Sequence, residues 1–263
     1  MVVYLGNKPV GVNKVVEKKV AKTKYGATVD TFLGDVDGNG VLQAPTAETA
    51  LDFSGVKEIV ASGLQYGFIN AKIKGINATD LTTVNSSSFA YTFKNATMLA
   101  DAVFGLETIA SESAFTNAFY GAKWKNNSKP RFSNLKTVKA NKAFESVFSY
   151  SSSFTATWDD MFPVLEEIQG NVCFYNFAPI TSVTATALKK IVGSSAYYNA
   201  TFTGFSAKEY FLPNVTDISK YVFSNGYKIQ VHFAAANQAA IEACEGYNYK
   251  FGLSSDSEIL FDL

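Results

Sequence analysis

The chain is poor in the residues from which active sites are most often assembled. It has one histidine, His232, and two cysteines, Cys173 and Cys244, among 263 residues. With a single histidine, in the alternating segment 228–233, a Ser-His-Asp or Cys-His arrangement would have to be assembled from distant parts, and no nucleophile-elbow motif is present. No His or Cys pair has zinc-ligand spacing, and two isolated cysteines are too few for a disulfide scaffold. Both read as buried free thiols. There is no GxxxxGK[ST] or GxGxxG loop to cradle a phosphate. The expectation is a protein that is not an enzyme.

Net charge is also missing, since 23 Lys and Arg balance 23 Asp and Glu. That balance offers no global electrostatic reason for binding nucleic acid. No apolar run approaches membrane-spanning length, and the first residues lack a basic stretch followed by an apolar one. Neither a signal peptide nor a transmembrane segment is expected, and localisation stays open on composition alone. What is abundant is phenylalanine, 22 residues against two Trp and three Met, in a chain that is 47% hydrophobic. A large core can be built from that composition.

The pattern that uses the phenylalanines is a repeat. Anchors of the form apolar, two mostly polar, apolar occur at Val56-Lys-Glu-Ile59, Leu81-Thr-Thr-Val84, Leu106-Glu-Thr-Ile109, Leu135-Lys-Thr-Val138, Leu165-Glu-Glu-Ile168, Leu188-Lys-Lys-Ile191 and Val215-Thr-Asp-Ile218. They are spaced 25, 25, 29, 30, 23 and 27 residues apart. A unit of that size cannot bury its own apolar face, so neighbours must stack. Most anchors are followed by a bulky pair spaced i, i+4: Leu64/Phe68, Phe89/Phe93, Phe115/Phe119, Phe144/Phe148 and Cys173/Phe177. Such pairs share one face of a helical turn, which predicts a short helical turn in each unit. Alternating segments such as 72–74, 180–184 and 228–233 precede anchors and predict short strands. The fold class expected is an α/β repeat solenoid, with strands on one face and helical turns on the other. Residues 1–50 read as an N-terminal hairpin and cap or attachment segment, 51–233 as a solenoid of about seven units, and 234–263 as a C-terminal capping helix and strand.

The anchors and the segments Ala-Phe-Thr-Asn-Ala-Phe (114–119) and Ala-Phe-Glu-Ser-Val-Phe (143–148) resemble the BspA-type leucine-rich-repeat family. The resemblance covers about residues 53–233 and implies a right-handed leucine-rich-repeat solenoid capped at both ends. The end segments 3–15, 21–30 and 232–247 are similar to repeat proteins encoded by phages and prophages of intestinal bacteria. That similarity implies a virion- or tail-associated, or extracellular, recognition protein. Most units lack the family's Cys and Gly after the aromatic pair, so ligand details do not carry over.

Three local features compete as sites. Asp35, Asp37 and Asn39, followed by Gly40, match the first positions of a calcium loop, but Pro45 and Thr46 stand where its last ligands belong. Asp, Asn and Gly are equally what a tight turn needs, so calcium and a bare turn are both open. The pairs Asp159/Asp160 and Glu166/Glu167 would point to opposite faces of a strand and could not flank one glycosidic bond. Outward positions of the strands would carry Lys72, Lys74, Arg131, Lys208, Tyr210, Lys228 and Gln230, while Lys123, Trp124 and Lys125 fall in one of the two longest units, where an insertion should bulge. Two readings are open for the outward strand residues: a surface for an anionic or carbohydrate partner, or a solvated strand face whose charges prevent sheet-to-sheet association. The expected function is a non-enzymatic recognition or adhesion module for a cell-surface protein or glycan, or for virion components. The alternative is an architectural, self-assembling protein with an inert repeat face.

Overall fold

The structure is a computed structural model that describes residues 4–5, 21–23, 28–29, 41–42, 48–177, 180, 182–192, 209–223 and 228–263. The calcium-loop residues Asp35, Asp37 and Asn39, the turn of the N-terminal hairpin, and Lys208 lie outside the described residues. The chain winds as a parallel β-solenoid of about seven turns. Every anchor contributes a two-residue strand, and both apolar residues of all seven anchors are buried, none more than 3% exposed. The anchor strands stack in parallel register in two ladders, 58–59 on 83–84, and separately 108–109, 137–138, 167–168, 190–191 and 217–218.

The alternating segments form a second ladder. Its first part comprises β1 (Thr49–Asp52), β2 (Lys72–Ala78), β3 (Thr97–Met98), β4 (Ala102–Phe104), β5 (Lys123–Trp124) and β6 (Pro130–Arg131). The fifth unit has helix α1 (Trp158–Met161) where a strand is expected. The ladder then resumes as β7 (Ser182–Thr184), β8 (Glu209–Leu212) and β9 (Gln230–Phe233). After α2 (Gln238–Ala243), strand β10 (Glu258–Phe261) pairs in parallel with β9, so the expected closing strand is one more rung. At the other end Tyr4–Leu5 pairs antiparallel with β1. Thr157 caps α1 and Asp160 completes a capping box, which places Asp159 and Asp160 on a helical turn and not on the expected strand.

The predicted helical turns are not helical. After each of the first four anchors runs a ribbon of β-turns in which every fourth residue is left-handed: Ser62, Tyr66 and Asn70, then Ser87, Tyr91 and Asn95, then Ser113, Asn117 and Gly121, then Lys142, Ser146 and Tyr150, with φ between 53° and 67°. Side chains four apart share a face in a period-four ribbon just as they do in a helix, so the i, i+4 pairs alone could not separate the two. The backbone bonding explains the choice. The N–H groups of Ser62, Leu64, Tyr66, Phe68 and Asn70 donate to the carbonyls of residues 86, 88, 90, 92 and 94 on the next coil, at 2.8–3.2 Å. The intervening N–H groups of Gly63, Gln65 and Gly67 donate three residues back within the coil. Donors and acceptors are thus satisfied both locally and along the stack, as burial requires. Left-handed residues cost roughly 1–2 kcal/mol each, and Asn or Gly at several of these positions lowers that cost.

The ring side chains make the core. Phe89, Phe115, Phe144 and Phe174 stack at 4.8, 5.4 and 5.2 Å, and Phe68, Phe93, Phe119 and Phe148 at 5.7, 4.9 and 5.5 Å, with planes within 23°. A third column, Phe104, Phe132 and Phe162, meets the first edge-on. Each buried ring contributes roughly 1.5–3 kcal/mol from area, and each ring pair about 0.5–1.5 kcal/mol more. In the fifth unit Phe174, not Cys173, carries the column. Cys173 takes the small position held by Ala114 and Ala143 in earlier coils, and Sγ lies 3.1 Å from the Ala140 carbonyl. Burial pushes its thiol up to about 12.

At the C-terminal end the expected helix is short. Ile241 is buried under it, whereas Ala240, expected on the same side, is exposed. Asn237 at its start donates to the carbonyls of Pro213 and Val215, at 2.9 and 3.3 Å, tying the segment to the last anchor.

Candidate functional site

Strands β2, β3 and β5 lie side by side, with Lys72 opposite Thr97 and Thr97 opposite Lys123. Ile73, Met98 and Trp124 form the next row and point into the core. The register continues one residue further, because the Leu99 N–H donates to the Ile73 carbonyl at 2.8 Å and the Lys125 N–H to the Met98 carbonyl at 2.9 Å. Strand alternation therefore leaves Lys72, Lys74, Lys123 and Lys125 outward and exposed. They stand at the corners of a rectangle about two strand spacings wide, roughly 9.5 Å, and two residues tall, roughly 6.6 Å. Glu48 approaches Lys74 at 3.9 Å, with both side chains about half exposed. Such a pair is worth little against solvent.

The other expected residues are not part of this cluster. Trp124 is 1% exposed and packs on Phe119 and Phe148, so the anticipated bulge at 123–129 begins as a strand whose tryptophan faces inward. Tyr210 is likewise buried, against Phe223 at 5.0 Å, and burial raises its phenol well above the ordinary range. The outward residues of β8 are Glu209 and Phe211, one position out of phase with the expectation. Arg131 faces outward but binds Asp101 at 2.7 Å, and this partner holds its guanidinium above its usual value. Lys129 beside it binds Asp160 at 2.7 Å. These two pairs join three successive coils across the place where α1 interrupts the ladder. Lys228 is exposed on the C-terminal part, and Gln230 bonds Glu258 at 2.8 Å.

A second group was not legible as a site from its residue types. Tyr66 and Tyr91 stack at 5.1 Å on the outer side of the turn ribbon. The Lys94 ammonium sits 5.7 Å from the Tyr91 ring and 5.5 Å from the Tyr120 ring. Tyr120 in turn lies 5.1 Å from Tyr150, which is 78% exposed. Partial burial, followed by the nearby Tyr66 phenol and Glu145 carboxylate, raises Tyr91 above its usual value. The signal available in sequence was the ribbon's four-residue period, which turns Tyr66 and Tyr91 outward two positions before the buried Phe68 and Phe93.

Neutrality of the whole chain hides a division. Residues 72–142 carry ten Lys and Arg against four Asp and Glu, whereas 143–263 carry six against twelve. Both surface groups lie in the basic part or at its border.

Elsewhere the chemistry is sparse. His232 stacks on Phe211 at 4.6 Å and its Nδ1 lies 2.9 Å from Asp262. Its Nε2 has no hydrogen-bond partner among the described residues, so no hydroxyl or thiol is poised there. Among the described residues no group of three or more His, Cys, Asp or Glu stands close enough to hold a metal ion, and no helix is long and apolar enough to cross a membrane. Comparison with family models, with curated proteins and with solved structures gives no match to this chain.

Proposed function

We propose that this protein is a non-enzymatic recognition module that binds an anionic cell-surface protein or glycan through the basic flank of its solenoid. The observation that carries the reading is the rectangle of Lys72, Lys74, Lys123 and Lys125, four exposed cations on stacked strands with one weak ion pair among them. A rigid stack holds such charges at set spacing without ordering a loop on binding, which favours affinity for a repetitive anionic partner. The leucine-rich-repeat type and the BspA-type kinship belong to the same reading, supported by the anchors and by the Ala-Phe segments in coils three and four. So do a bacterial-surface partner and attachment to a virion. Binding of the full chain to immobilised bacterial surface polymers and proteins tests the proposal. Retention that weakens with salt, and weakens further in K72Q/K123Q, is expected; no binding to any of them at low salt would defeat it.

A second reading, architectural self-assembly, is favoured by one observation: the basic and acidic halves of the same solenoid are complementary in sign. It predicts a salt-sensitive rise in particle mass with concentration in light scattering. A monomer throughout would remove it.

A further inference from the structure

The tyrosines and the lysines are not two separate surfaces. Tyr66 and Tyr91 occupy one row of the turn ribbon on the first two coils. Lys94 and Tyr120 take the row three residues further on, on the second and third coils, and Tyr150 the row after that, on the fourth. The strip thus drifts sideways as it climbs the stack. Two residues beyond Tyr150, Ser152 bridges to Lys123, the corner of the lysine rectangle. A line of ring faces, with one ammonium held between two of them, climbs from the first coil to the fourth and borders the lysine rectangle at Lys123.

We infer that the strip and the rectangle together form one extended site for an acidic polysaccharide chain lying along the solenoid axis. The inference rests on the recognition reading above and names its ligand class. Tyrosine rings offer broad apolar faces with a polar tip at little entropic cost, and the C–H face of a pyranose stacks on such a ring. The rings recur at 5.1 Å where they touch directly, close to one strand spacing. Lys72 and Lys123 recur at two, so a chain bearing one anionic group on alternate sugars meets a lysine at each. Lys94, between the rings of Tyr91 and Tyr120, marks where a charged substituent would sit within the strip. Glu145, close enough to raise the Tyr91 phenol, supplies an acceptor for sugar hydroxyls.

Nucleic acid fits the same surface less well. Phosphate recognition favours the arginine fork, and the chain's one arginine, Arg131, is committed to Asp101.

The test is binding of the full chain to alginate and hyaluronan, to neutral dextran, to poly-glutamate and to single-stranded DNA. The expected result is binding of alginate or hyaluronan in preference to all three others, weakening as salt rises. Y120A/Y150A should weaken that binding about tenfold with an unchanged salt slope, the loss of two ring contacts at an exposed site. Y120F/Y150F should retain it, and K72Q/K123Q should flatten the slope. Unchanged thermal unfolding of these variants separates lost contacts from lost fold. Equal binding of poly-glutamate with no effect of Y120A/Y150A would overturn the site while leaving a recognition module for polyanions. Tighter binding of single-stranded DNA than of either glycan would overturn the ligand class. A surface protein bound with no polysaccharide bound would sink this inference alone, and binding to nothing would sink both it and the function proposed above.

Discussion

The coils before α1 and the coils well after it use the same anchor and differ in core and surface charge. Before α1, strands β2 to β6 are backed by parallel columns of phenylalanine, the turn ribbon repeats coil after coil, and the outer surface is basic. After α1 the strand ladder resumes as β7 to β10, the core includes Tyr210, Val231, Phe233 and Phe251, and the surface is acidic. The anchor ladder runs past α1 without interruption, 137–138 on 167–168 on 190–191. The anchors cross the junction together with two phenylalanine columns, which reach Phe162 and Phe174 in the fifth coil, and beyond that coil the other walls are rebuilt while neighbouring coils still bury one another.

The largest effect that would sharpen this contrast is F115A. Phe115 touches Phe89 and Phe144 in its own column and Phe104 and Phe132 edge-on, so truncation should cost about 3–5 kcal/mol by urea unfolding. F261A, on the last rung, removes a partly buried ring stacked on Phe233 at 5.9 Å and should cost about 1–2 kcal/mol. Equal losses would mean that the phenylalanine columns add nothing beyond ordinary burial.

G105A should come next. A Cβ at Gly105 would run into the carbonyl group of Thr79 on the preceding coil, whose carbon stands 2.6 Å away. Backbone cannot yield as a flexible side chain can, so a loss of about 1–3 kcal/mol is expected. A wild-type unfolding midpoint would show that the coils before α1 are not as closely stacked as described.

Smaller again is the stitch at the junction. Burial would raise the Asp160 carboxyl, but the hydrogen bonds from Lys129 and Thr157 prevail and hold it below 3.8. A carboxyl depressed in the fold stabilises it above the unfolded value and loses that contribution as pH falls through the folded value. D160N should therefore cost about 1 kcal/mol at neutral pH, partly through its cap, and should show a shallower decline in stability below pH 3.8 than the native chain. An unchanged acid limb in D160N would show that the contact joining the two halves is not formed in solution.

Two expectations concern reactivity and surface. In the native state Cys244, half-buried at the C-terminal end, should react with iodoacetamide at pH 8, while Cys173, with its thiol pushed up to about 12 inside the column, should not until urea unfolds the stack. Labelling of Cys173 at the rate of Cys244 would contradict the packing of the fifth coil. K72Q/K123Q should change stability least, within about 0.5 kcal/mol, because these side chains are exposed.

Much of this fold was legible beforehand, for a physical reason. An apolar residue that recurs at fixed spacing has to be buried by its neighbours, so Leu106, Ile109 and their counterparts read directly as core. Phe89, Phe93, Phe115 and Phe119 read as paired on one face for the same cause. What could not be read was the backbone that pairs them. A helix with 3.6 residues per turn and a ribbon with four place i and i+4 alike, and only hydrogen bonds to the next coil favour the ribbon. The site divided in the same way. Lys72 and Lys74 were visible as outward charges on a strand, whereas Lys123, Trp124 and Lys125 read as a bulging loop and instead begin as a strand whose tryptophan faces inward. Tyr210 was misread because a one-residue phase turns a side chain from surface to core.

The sequence by itself determined that the chain stacks, where each coil is anchored and that the anchor residues and recurring phenylalanines are core, since burial of apolar side chains is a local demand repeated seven times. Only the tertiary structure decided which surfaces meet. Lys72 and Lys123 are 51 positions apart in sequence and two strands apart in space, and Tyr66, Tyr91, Tyr120 and Tyr150 become one strip only when four coils are laid in register. Register is set by hydrogen bonds between coils, and no pattern within a single coil contains it.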